Sequence, residues 1–141
     1  MAELLTLNAE ALSNIDWVNR LWQHPIQRLF WIYQVPLSGR RGGHYHPAGQ
    51  MLLQCPVGSV EVYVQTPWMD QRFNLNIPTQ FLWLKPEDWR LMYNFSADAR
   101  LLVMASEVFS TMLYIEHPYR PIPPKFENVW GSILNDSMVQ S

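Results

Sequence analysis

Prolines at positions 25, 36, 47, 56, 67, 78 and 86 divide the middle of this chain into short pieces, and that spacing narrows the possible folds more than any other feature. Proline lacks an amide hydrogen and has a fixed φ, so it is excluded from helix interiors and from the middle of central strands. The pieces between run to roughly eight to eleven residues, the strand-and-turn rhythm of an all-β sandwich or barrel. Ser59 to Gln65 alternates Val60, Val62 and Val64 with Glu61, Tyr63 and Gln65, and Arg72 to Ile77 alternates Phe73, Leu75 and Ile77 with polar residues. Both have the period of a strand. Runs over 27–35, 50–55, 80–84 and 100–106 are apolar and rich in β-branched or aromatic residues, as in strands buried on both faces. Helix is expected only over Leu7 to Ile15 and Phe126 to Leu134, the second following an extended connector with prolines at 118, 121, 123 and 124. The expectation is one all-β domain over 1–141, a jelly roll or small β-barrel with short peripheral helical ends. Residues 1–25 form a peripheral amino-terminal segment in this reading, and 118–141 a proline-rich connector and tail.

A chain of 141 residues is long enough for one proper core, and two are improbable at that length. With 48% hydrophobic and 16% charged residues it is too apolar for disorder, yet no apolar run is long enough to span a bilayer. A soluble, cytoplasmic protein without a membrane partner is expected, because Met1 to Leu5 carries no basic region of the secretory type. The net charge of −2 argues against a nucleic-acid surface and leaves room for a small anionic ligand. Cys55 is the lone cysteine and sits among apolar neighbours, so it reads as a small buried hydrophobe.

Chemistry concentrates in Arg40-Arg41-Gly42-Gly43-His44-Tyr45-His46-Pro47-Ala48-Gly49-Gln50, which holds two of the four histidines. In an extended segment, side chains at i and i+2 leave the same face, so His44 and His46 point into one space. Two imidazoles sharing a pocket suit either metal ligation or a general acid/base pair. His44-x-His46-x3-Gln50, followed by Gly58, resembles the first motif of the cupin superfamily with glutamine in place of the usual glutamate. Pro86 to Asn94 resembles the second cupin motif with Arg90 at the histidine position. Two imidazoles, a neutral amide and a guanidinium are a poor set for a divalent ion, so no metal or other cofactor is expected.

A narrower resemblance runs from about Arg28 to Tyr119. It is carried by Arg28 to Tyr33, Arg41 to His46, Gly58-Ser59, Asn94 to Ser96, Leu102 to Ser106 and Tyr114-Ile115. In order and spacing these pieces resemble the bacterial nucleotide-sugar 3,4-ketoisomerases, the FdtA or WxcM-like branch of the cupins. The resemblance implies a homodimeric, metal-independent isomerase that moves the keto group of a dTDP-4-keto-6-deoxyhexose from C4 to C3. Its product would feed unusual deoxysugars of the lipopolysaccharide O-antigen or of secondary metabolism. It implies His44 and His46 as the acid/base pair and Arg41 as the diphosphate ligand. Gln50 is expected to bond a sugar hydroxyl or orient an imidazole, Arg90 to stabilise an enediolate oxygen, and Trp31 or Tyr33 to stack on the sugar or base. Tyr33 or Tyr93 is expected to supply the hydroxyl that the family often places near the barrel mouth. Arg90, standing where the family usually has histidine, opens two alternatives: a related nucleotide-sugar epimerase, or a sugar-binding cupin without catalysis.

Overall fold

The computed structural model describes residues 1–8, 14–108 and 114–123. Its strands are β1 (Glu3–Thr6), β2 (Arg28–Tyr33), β3 (Arg40–His44), β4 (Met51–Val57), β5 (Val60–Gln65), β6 (Asp70–Leu75), β7 (Gln80–Leu84), β8 (Trp89–Tyr93) and β9 (Arg100–Ala105), with one helix, α1 (Asp16–Trp22), between β1 and β2. They form two antiparallel sheets, one of order β1-β7-β4-β9-β2 and the other β3-β8-β5-β6. This is the jelly-roll arrangement that the proline spacing predicts.

The core lies between the sheets. Val60, Val62 and Val64 of β5 meet Leu53, Leu82, Leu84, Leu101 and Val103 of the facing sheet, and Cys55 is buried with them. Each such side chain contributes about 1.5–3 kcal/mol on leaving water, so the alternation in β5 fixes which of its faces turns inward. The opposite face of β5, which its polar residues mark as solvated, is not solvated. Tyr63 and Gln65 are fully buried because residues 114–122 cross over them, bringing Tyr119 and Ile122 against Tyr63, Trp89 and Leu91. This strap includes the first residues of the proline-rich connector, with Pro118 and Pro121 flanking Tyr119.

Three expectations need correction. Pro56 lies within β4 rather than ending a strand, and the sheet accommodates it with a register shift between Gln54 and Val57. A bulge is where a residue without an amide hydrogen can sit. The amino-terminal segment is not merely peripheral: β1 extends the five-stranded sheet beside β7, and Ala2 is buried in the core. Helix is not confined to the two expected segments: α1 spans Asp16–Trp22 and seats Val18 and Trp22 on Leu52, Phe81 and Met104 across the outer face of that sheet. Ile15 provides no side-chain cap, so packing rather than local signals defines this helix. Of the expected helix at 7–15, residues 9–13 lie outside the described residues, as does all of 126–134.

Gly58 turns the chain between β4 and β5 at φ 76°, and a Cβ there would stand 2.7 Å from the Cα of Ala99. Gly58→Ala is therefore expected to destabilise the fold by about 2 kcal/mol or more, through the left-handed backbone and the clash together. Urea unfolding checks this, and an unchanged midpoint would contradict it.

Candidate active site

The two sheets separate at one edge, between β2 and β3, and there enclose a cavity of about 190 Å³. β3 supplies Arg41, Gly42 and His44; β8 supplies Arg90 and Met92; β2 supplies Arg28, Phe30 and Ile32. His46 and Tyr114 complete the polar lining, with Met51, Leu53, Leu84 and Val103 as the apolar floor.

The histidines share the cavity as the i, i+2 spacing predicts. Their ring centroids are 4.6 Å apart and nearly perpendicular. The glycines before them make this possible. Gly42 has φ 91°, the register slips between Gly42 and His44, and a Cβ on Gly42 would come within 2.8 Å of the Arg90 carbonyl oxygen. Only a residue without a side chain lets β3 press this closely on β8. His44 is thereby placed opposite Arg90 in the ladder.

Arg90 is the unusual group. It is 1% exposed, its Nε donates to the main-chain oxygen of Asp88 at 2.9 Å, and its Nη1 reaches the Met51 sulfur at 3.6 Å. Among the described residues its Nη2 has no hydrogen-bond partner. The Asp88 carboxylate does not pair with it, because Oδ2 instead accepts from the Lys85 amide at 2.8 Å. With only a carbonyl and a thioether as hydrogen-bond partners among the described residues, and the Asp88 charge acting on it without a bond, this buried cation has an electrostatic demand that an anionic ligand would satisfy.

Burial first, and the Arg90 charge second, bring the His44 imidazole down to about 3 against a smaller opposing pull from the Gly42 main chain. His44 is thus a neutral base throughout the neutral range. The sign for stability follows. Below pH 6.5 the unfolded chain protonates this imidazole while the folded chain does not, so stability falls as pH drops from 6.5 toward 3. His44→Asn is expected to reduce that slope by up to about 1.4 kcal/mol per pH unit, one proton's worth. Urea midpoints of both proteins from pH 6.5 to 4 check this, and parallel curves would contradict it.

Of the residues marked in the sequence, His44, His46, Arg41 and Arg90 line the cavity. The other four do not. Trp31 and Tyr33 lie on the outer face of β2, 45% and 51% exposed, because Arg28, Phe30 and Ile32 take the inner positions. Tyr93 faces out of β8 under the strap, three residues from Arg90 and so on the other side of the strand. The Gln50 side-chain oxygen accepts from the Trp83 indole at 2.9 Å, and its main-chain N–H donates to the Ser106 hydroxyl oxygen at 2.9 Å, which ties β4 to β7 and β9 beside the cavity. With Gln50 so engaged and a guanidinium next to His44, the donor set does not fit a divalent ion.

Sequence reasoning missed Arg28 and Tyr114. Arg28 shares the parity of Phe30 and Ile32 on β2, but nothing in the sequence of that strand marks this face as the inner one. Its guanidinium lies 4.7 Å from the Phe30 ring centre, inside the cavity wall. Among the described residues the lining therefore holds three arginines and two histidines and no carboxylate, a composition suited to a phosphorylated ligand.

Comparisons with known proteins point to one family. The FdtA family model, described as WxcM-like, C-terminal, matches residues 4–120. A TDP-4-oxo-6-deoxy-alpha-D-glucose-3,4-oxoisomerase of Aneurinibacillus thermoaerophilus is 30% identical over 90 residues, a span of 64% of this chain and 65% of that protein. Among solved structures, the TDP-fucose-3,4-ketoisomerase WlaRA of Campylobacter jejuni superposes with TM-score 0.63 at 29% identity, covering 67% of this chain and 70% of that one. The TDP-quinovose 3,4-ketoisomerase WlaRB of the same organism gives TM-score 0.71 at 27% identity over 82% and 92% of the two chains.

Proposed function

We propose that this chain, which belongs to the FdtA family of WxcM-like C-terminal domains, is a TDP-sugar 3,4-ketoisomerase that moves a keto group between C4 and C3 of a 4-keto-6-deoxyhexose. The observation that carries the reading is the paired imidazoles facing three guanidiniums in one carboxylate-free cavity.

The reaction removes the proton on C3, passes through an enediol and delivers a proton to C4. Of His44 and His46, one takes the C3 proton and gives it back at C4, ending as it began, and the other serves as the proton shuttle. Positioned groups of this kind supply about 10²- to 10⁴-fold each. His44 is held neutral by burial and by Arg90, which leaves its lone pair available at cellular pH. Arg41 and Arg28 take the diphosphate in two-point, charge-assisted contacts, as guanidinium groups favour. Arg90 offers its Nη2, which has no hydrogen-bond partner among the described residues, to the enediolate oxygen as a preorganised donor.

The protein acts as a homodimer in this reading. The support is that β2 is a free sheet edge whose outward Leu29, Trp31 and Tyr33 are each about half exposed. It works in the cytoplasm, where charged nucleotide sugars are made and retained, and no helix of the described residues is long and apolar enough to cross a membrane. The product supplies cell-surface deoxysugars such as those of O-antigen. Proton NMR of TDP-4-keto-6-deoxyglucose mixed with the protein tests the activity. Conversion to the 3-keto isomer is expected, and saturable binding with no conversion would replace the enzyme with a sugar-binding module.

A further inference from the structure

Among the side chains that line the cavity, hydrogen-bond donors outnumber acceptors. Arg28, Arg41 and Arg90 can only donate, and no carboxylate of the described residues faces them there. The side-chain acceptors are the imidazole nitrogens of His44 and His46, the Tyr114 oxygen and the thioethers of Met51 and Met92. Water must both donate and accept, so it matches such a lining poorly. An anion only accepts, and it matches well.

The mismatch is greatest at Arg90. Arg28 and Arg41 are partly exposed and can be served by solvent, whereas Arg90 is buried. Its Nε is bonded to the Asp88 main-chain oxygen, its Nη1 makes only the long contact with the Met51 sulfur, and its Nη2 has no hydrogen-bond partner among the described residues. The Asp88 carboxylate acts on this charge, yet it is not part of the lining and its Oδ2 is taken by the Lys85 amide. Beside Arg90 the side chains of Met51, Leu53, Leu84, Met92 and Val103 offer hydrocarbon and sulfur. Such a floor cannot replace the water shell of a strongly hydrated ion, and a guanidinium is itself weakly hydrated. The ion that sheds its shell most easily therefore fits best.

We propose that the Arg90 guanidinium forms a binding site for a small monovalent inorganic anion in the substrate-free protein, taking halides in the order bromide, chloride, fluoride. The ion compensates a buried cation that has no bonded carboxylate, which offsets the cost of holding that cation out of water. It occupies the place assigned above to a substrate oxygen, so ion and keto sugar exclude one another. Halide in the medium thus acts as a competitive inhibitor, released as the sugar enters. The competition rests on the ketoisomerase reading, whereas the binding of the ion does not.

Thermal unfolding without substrate, in sodium fluoride, chloride and bromide at one ionic strength, tests the site. The wild type should melt about 3 °C higher in bromide than in fluoride, with a saturable dependence on bromide; the ordinary salt series runs the other way, since strongly hydrated ions favour burial. Arg28→Met and Arg41→Met should keep this difference, and Arg90→Met should lose it. At the same ionic strength, replacing fluoride with bromide should raise the wild-type KM for TDP-4-keto-6-deoxyglucose by about fivefold and leave kcat unchanged. No bromide-specific rise in the wild type, or one that survives Arg90→Met or vanishes with Arg28→Met or Arg41→Met, would overturn the site; the wild type and the two mouth variants decide it even if Arg90→Met does not fold. A thermal rise with an unchanged KM would overturn the placing of the ion where the sugar binds. A wild-type protein inert toward the keto sugar would overturn the ketoisomerase reading instead, and the thermal series alone would then decide the ion site.

Discussion

His44→Asn and His46→Asn are each expected to lower kcat by roughly 10³-fold while leaving TDP affinity within about threefold of wild type. Asparagine keeps a polar group of similar reach and removes the ability to take or give a proton at neutral pH. The affinity holds because the diphosphate is assigned to Arg28 and Arg41, on β2 and β3, while the imidazoles stack on each other and on Tyr114. The pair is coupled, so the double variant should fall little further than the weaker single one. Turnover within tenfold of wild type in either variant would remove that histidine from the chemistry.

Arg90→Met is expected to separate activity from stability. Methionine matches the length of the guanidinium stem and packs beside Met51, and it removes a fully buried cation whose Nη2 has no partner among the described residues. Replacing a poorly compensated buried charge with an apolar side chain is often neutral or stabilising. The urea midpoint should therefore hold or rise, while kcat falls by roughly 10²- to 10³-fold through loss of the oxyanion donor. The pH profile should move as well. Arg90 is the second cause lowering His44, so its loss raises the His44 pKa above about 3 and shifts the acid limb of kcat/KM to higher pH. A variant that is both active and less stable would mean that Arg90 is a structural cation.

Much of this was legible in the residues, and what was not has definite causes. Strand period and proline spacing located β2, β4, β5, β6, β7 and β9, because alternation is imposed by a two-layer core. β1 and α1 escaped because four and seven residues carry too little pattern, and both are held by packing on the sheet rather than by caps. The shared direction of the histidine pair was legible from spacing alone, whereas Arg41 came with the family resemblance. Trp31 and Tyr33 were misplaced because every residue from Leu29 to Tyr33 is apolar or aromatic, so nothing in β2 distinguishes the inner face from the outer. Tyr114 comes from a strap remote in sequence, and only the fold reveals which histidines it covers. Gln50 sits at the position cupins use for a ligand, yet Trp83 claims its oxygen.

The most direct test of the account is proton NMR of TDP-4-keto-6-deoxyglucose in D₂O with the wild-type protein, prepared with chelator and without added cofactor. The account predicts a 3-keto product with deuterium at C4 and returned substrate deuterated at C3. Deuterium exchange confined to another carbon, or none at all in a protein that binds TDP, would contradict it.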